Sequence, residues 1–271
     1  FDLSLTLNPG PQGWLASGSL APRSLVLSMS GEDVPLGSPT GRVEFQPGQG
    51  QVRDLVLTGA GPRGITGSLA GGWVTGEDGG RSVHAEMTLL SGADPAALLA
   101  QMPTGLRTAL DELKVRVSGP VSFEPLRLSL NFDAQGELGA YAAGGTIGVS
   151  DLSMEPGVGV KEGKGRIEFT AERPGPLAPS AYEVWGLFDS VRLSGITMTS
   201  ARARIVGDPS GRVLIPHLSG VCHGGRFAGE AEVGPAAEDG RAYSMAAQFS
   251  GVRFASLLAE FAPAGAPQPG Q

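Results

Sequence analysis

Apolar and polar residues alternate along much of this chain, and a period of two is the signature of strands with one buried and one wet face. Leu3, Leu5 and Leu7 continue a face begun by Phe1, with Asp2, Ser4 and Thr6 opposite. Leu25, Leu27 and Met29 repeat the pattern. Val83, Ala85, Met87 and Leu89 alternate with Ser82, His84, Glu86 and Thr88. Leu126, Leu128, Leu130 and Phe132 alternate with Arg127, Ser129 and Asn131. Phe227, Gly229, Ala231 and Val233 form another run, followed by Tyr243, Met245, Ala247 and Phe249. One apolar side per strand is the pattern of antiparallel sheets. The fold class read from it is mainly β, built of repetitive antiparallel strands.

Helical periodicity occurs at two sites. Asp94-Pro95 supplies an N-cap and a proline for the first turn; Leu98, Leu99 and Met102 follow as one stripe, and after Pro103 come Leu106, Leu110 and Leu113. Near the C-terminus Phe254, Leu257, Leu258 and Phe261 carry the spacing of an amphipathic helix. The two sites are related: Ser91–Ala100 and Ser250–Ala259 share six identical positions at an offset of 159. The strands before them match as well, at an offset of 160. A shorter echo links Gly41-Arg42-Val43-Glu44-Phe45 to Gly165-Arg166-Ile167-Glu168-Phe169. Repetition of this kind predicts two related units. Residues 1–112 form a first β unit ending in short helices, and residues 113–262 a second ending in one. Residues 263–271 are a Pro/Gly tail or linker.

Composition narrows the function classes. Of 271 residues, 43 are Gly and 21 are Pro, without a collagen period. With 41% hydrophobic residues the chain has the means to build a core, so the glycines read as turn punctuation between strands. The net charge is −7 and the basic residues are scattered, which argues against a nucleic-acid surface and against simple attraction to anionic headgroups. Cys222 is the single cysteine, so no intrachain disulfide forms. No apolar stretch has the length of a membrane-spanning helix. The strand pattern starts at Phe1 without Met, which reads as a segment of a larger protein whose targeting signal or membrane anchor lies outside it.

Catalytic and metal constellations do not emerge. His217, Cys222 and His223 are the nearest approach to a zinc set, but adjacent strand residues point to opposite faces, and the remaining histidine, His84, is remote in sequence. The same geometry opposes a Cys-His nucleophile. Gly224-Gly225 lacks the Lys and the strand-to-helix context of a phosphate loop and reads as a turn or bulge. Glu32-Asp33, Glu77-Asp78 and Glu238-Asp239 read as solvated turns, without the dense spacing of a calcium loop. Trp14, Trp73 and Trp185 read as core or interface fillers. No enzyme activity, cofactor or metal is expected.

From Leu214 to Phe261 the chain runs strand, Gly-Gly turn, Gly-containing strand, turn, second strand and a short helix with a Leu pair. This resembles the C-terminal region of the AsmA-like family of envelope proteins, at Gly224, Gly225, Gly229, Leu257 and Leu258. The resemblance implies a curved, elongated β-groove, or β-taco, with an apolar lining. It also implies an inner-membrane anchor, a body on the periplasmic side of a bacterial envelope, phospholipid as partner, other envelope proteins as further partners, and a role in outer-membrane biogenesis. The lining candidates are the apolar positions of the alternating runs: Leu3, Leu5, Leu7, Val83, Ala85, Met87, Leu89, Leu126, Leu128, Leu130, Phe132, Phe227, Val233, Tyr243, Met245 and Phe249. A sheet with one apolar face has to cover it. Acyl chains do so in a groove; a second layer of protein does so in a structural or adhesive sandwich or solenoid. Alternation alone leaves both open.

Overall fold

The computed structural model describes residues 2–10, 13–29, 32–58, 66–89, 116–154, 160–178, 180–193, 195–207, 212–234, 243–253 and 255–256. Nearly all of them lie in sixteen strands. These are β1 (Asp2–Gly10), β2 (Gly13–Ala21), β3 (Leu25–Met29), β4 (Glu32–Gln46), β5 (Gln49–Thr58), β6 (Thr66–Thr75), β7 (Arg81–Leu89) and β8 (Arg116–Val117). They continue with β9 (Val121–Phe132), β10 (Leu138–Met154), β11 (Val160–Arg173), β12 (Ala181–Leu193), β13 (Ile196–Gly207), β14 (Val213–Cys222), β15 (Gly225–Val233) and β16 (Tyr243–Ser250). Hydrogen-bonded order follows chain order from β1 to β16, except that β3 pairs only with β4 and β8 only with β10. The pairs are antiparallel, as the alternation predicts, and most of them are hairpins; β2–β4 and β7–β9 are joined by longer connections.

The chain divides into two compact units. One comprises residues 1–109, 120–147 and 170–179; the other comprises 110–119, 148–169 and 180–271. The repeat-based division at residue 112 follows sequence similarity, whereas each compact unit takes segments from both sides of that point.

The shorter echo has a backbone basis. Gly41 in β4 has φ 139° and Gly165 in β11 has φ 156°. A Cβ on Gly165 would run into the Leu187 carbonyl and lie 2.7 Å from the Phe188 Cα. Glycine is thus needed in β11 for the approach of a neighbouring backbone, and at both echo positions for a conformation that L side chains rarely adopt.

Many glycines are not turn residues, which corrects the reading of them as punctuation. Gly18, Gly50 and Gly207 lie within strands, each opposite an aromatic residue: Phe45, Trp73 and Tyr182. A Cβ at Gly50 or Gly207 would overlap the facing ring, and at Gly18 it would lie 3.2 Å from the Phe45 ring. A strand glycine has no side chain to pack, so a large neighbour lying across it recovers buried area.

The β14–β15 connection is a two-residue turn, His223-Gly224, with φ values of 47° and 80°. Two positive φ values define the type I′ turn that matches strand twist. His223 therefore belongs to a turn, not to a strand beside Cys222. Gly225 opens β15, and its Cα faces the backbone of Gly251 and Val252 so closely that no Cβ would fit. Glu32 and Asp33, expected in a turn, lie in β4. Glu77 and Asp78 do form a turn, with the Asp78 carboxylate accepting the Gly80 N–H at 3.0 Å.

Of the helical sites, only Ala255 and Ser256 fall among the described residues; they are helical, and the Ser256 N–H donates to the Arg253 carbonyl at 3.0 Å. Leu98, Leu99, Met102, Leu106, Leu110, Leu113, Phe254, Leu257, Leu258 and Phe261 lie outside the described residues, as do Glu238, Asp239 and the 263–271 tail.

Candidate functional site

In the first unit, antiparallel register lines apolar residues into rows across the strands. One row runs Leu20, Val43, Val52, Gly71, Ala85, Leu128 from β2 to β9, with Leu3 as the β1 partner of Leu20. The next runs Leu5, Gly18, Phe45, Gly50, Trp73, Val83, Leu130. A third joins Leu55, Leu69, Met87 and Leu126. The predicted lining residues of β1, β7 and β9 whose side chains are described thus fall on one face. Leu55 is fully buried, but most of this face is only half-buried, and Leu5, Leu7 and Leu128 are 50%, 55% and 39% exposed. The side chains of Leu3, Leu89 and Tyr243 lie outside those described.

The second unit treats its apolar face differently. Val191, Met198, Ala201, Cys222 and Phe227 form a closed cluster, flanked by Phe188, Leu193, Ile196 and Leu218. Phe227 is 5% exposed, and its ring centroid is 5.1 Å from that of Phe249. Phe227 was expected to line a groove; here it is a core residue of a self-packed face. Val233 is half-buried, while Met245 and Phe249 are 55% and 46% exposed on β16, the last strand of the ladder. Cys222 is buried, as a small thiol in a strand is expected to be.

The opposite, wet face of β12–β14 carries a polar cluster that sequence reasoning did not single out. Trp185 pairs with Arg204 and Arg204 with His217 in the strand register. The Glu183 carboxylate accepts from Trp185 Nε1 at 2.7 Å and from Arg204 Nε at 2.8 Å. The Arg204 guanidinium stands 5.7 Å from the Trp185 ring, and the His217 ring is 6.3 Å from it. These hydrogen bonds, from Arg204 first and then Trp185, hold the Glu183 carboxyl below its ordinary range. The same pair raises Arg204. Ser219 Oγ is 3.0 Å from His217 Nε2. A nucleophile–base pair needs a third group to orient the base, and the nearby Glu183 carboxylate is engaged by Arg204 and Trp185. The three histidines lie apart, on β7, on β14 and in the His223-Gly224 turn. Among the described residues no three His, Cys, Asp or Glu side chains converge as metal ligands.

The wet face of the first unit holds a cavity of about 620 Å³ between β2, β4, β5, β6 and β7, with Arg42, Glu44, Gln51, Arg53 and His84 in its wall. No family model, curated protein or solved structure matches the chain.

Proposed function

We propose that this chain is a non-catalytic, lipid-handling segment of a bacterial envelope protein, and that the half-buried apolar face of its first unit takes phospholipid acyl chains. The observation that carries this reading is the set of in-register aliphatic rows across β1, β2, β4–β7 and β9, which stay half-buried, whereas the apolar cluster of the second unit closes on itself. The rows are built from Leu, Val, Ala and Met with few aromatic residues, a surface that grips methylenes without a specific polar site. Each methylene buried contributes about 0.8 kcal/mol. The AsmA-like resemblance points the same way, with a periplasmic location and an anchor outside this chain as further parts of the proposal. The closed Phe227 cluster favours a second reading for the other unit, that of a structural β layer.

The test is native mass spectrometry with lipid extraction on the chain purified from a bacterial envelope without detergent. Near-stoichiometric phospholipid is the expected result. Leu128→Asp should lower it several-fold, whereas Val221→Asp, at an exposed apolar position in the second unit, should leave it unchanged. A folded protein that carries no lipid and refuses added lipid would sink the proposal in favour of the structural reading.

A further inference from the structure

The cavity on the wet face of β2–β7 has a charge arrangement that the fold does not require. Arg42 on β4 and Arg53 on β5 are direct register partners, so two guanidinium groups start from opposing positions on one face. Like charges placed this way destabilise a strand pair. Arg53 is compensated: Glu44 lies 3.8 Å away, and Gln51 Oε1 accepts from Arg53 Nε and Nη2 at 3.0 and 2.8 Å. Arg42 has no ion pair or side-chain hydrogen bond among the described residues.

The one carboxylate in the wall, Glu44, lies against Arg53, and the groups beside it are donors. With its Oε1 held by Arg53, Gln51 has its amide N–H groups left to give. His84 stands on β7, separated from Gln51 in register by Gly72 on β6, which contributes no side chain between them. A Cβ at Gly72 would crowd the Gly50 carbonyl and sit 3.1 Å from the His84 ring. A volume of about 620 Å³ falls in the range of small-ligand sites, roughly 300–1,000 Å³.

We propose that this cavity binds a phosphate group, with Arg42 as its principal counter-charge. The unpaired Arg42 fork, the Arg53 N–H groups left over from its contacts with Glu44 and Gln51, and the Gln51 amide offer more donors than the two oxygens of a carboxylate take up, and they suit a tetrahedral anion with three terminal oxygens. The site is on the face opposite the apolar rows and stands or falls independently of acyl-chain binding. The phosphate comes either free or as the ester of a polyol headgroup.

Isothermal titration of the full chain with inorganic phosphate, glycerol 3-phosphate and glycerol, at low and at physiological salt, tests this. Saturable binding of a phosphate species, absent for glycerol and weakened by salt, is expected. Arg42→Gln should lower affinity at least tenfold without lowering the melting temperature, because it removes a like-charge pair, while Arg226→Gln on β15 should bind as wild type does. Tighter binding of glycerol 3-phosphate than of phosphate assigns the source to a headgroup ester; equal binding assigns it to the free anion, and either upholds the site. No saturable binding, or an Arg42→Gln protein that binds like wild type, overturns it.

Discussion

Single side chains do the discriminating work in this protein, and Glu183 shows how. Its carboxylate is held below its ordinary range by hydrogen bonds from Arg204 and Trp185. A depressed carboxyl contributes stability above its unfolded pKa and loses that contribution as pH falls through the folded value. Glu183→Gln should therefore melt below wild type at pH 7, and the two should converge as the Glu183 carboxyl becomes protonated in acid; a gap that persists in acid would exclude an ionic origin. The group is only partly buried, so the effect is small and salt-sensitive. Phe227 lies at the other extreme, 5% exposed within the closed cluster. Phe227→Ala should cost about 3–5 kcal/mol in denaturant unfolding, a loss that Leu128→Ala on the half-open face should not approach. Charge reasoning at this scale also shows why Arg42 stands out: its neighbour Arg53 is neutralised by Glu44, and Arg42 is not.

At the scale of the strand, alternation was legible and glycine was not. β1, β3, β7, β9, β15 and β16 all follow runs visible in the sequence. The long strands β10 to β13 are less evident, because Gly and Ala within Leu138–Met154 blur the contrast between faces. Glycine is a weak strand former and reads locally as a turn. What makes it acceptable inside β2, β5 and β13 is a facing ring from another strand, which no local window contains. Gly165 is the sharpest case, since its φ and the approach of the Leu187 and Phe188 backbone both exclude a side chain. Gly165→Ala should destabilise by roughly 1–3 kcal/mol, measured as a shift of the denaturant midpoint, whereas alanine at Gly136, a turn position with nothing within 4 Å, should lose only its backbone strain.

Across the whole molecule, the two units handle the same problem differently. A one-sided sheet has to hide its apolar face. In the second unit β12–β15 close around Met198, Ala201, Cys222 and Phe227; in the first, most of the apolar rows remain half-open. Hydrogen exchange should reflect this. Amides of β13 and β14 should exchange most slowly, and those of β1, β3, β8 and β16, each paired on one side only among the described residues, should exchange first. Equal protection of β16 and β14 would mean that β16 gains a further partner in solution.

The sequence by itself determined the mainly β class, the antiparallel hairpins, the two faces of each strand and the small buried thiol at Cys222. These are local properties: side-chain direction alternates with every residue, and a polar–apolar period of two records it. Tertiary structure decided which faces close and which side chains meet. Glu183, Trp185, Arg204 and His217 come from three strands, and Arg42 meets Arg53 only through the β4–β5 register. Register is set by pairing between distant segments, and a slip of one residue would move every one of these side chains to the other face.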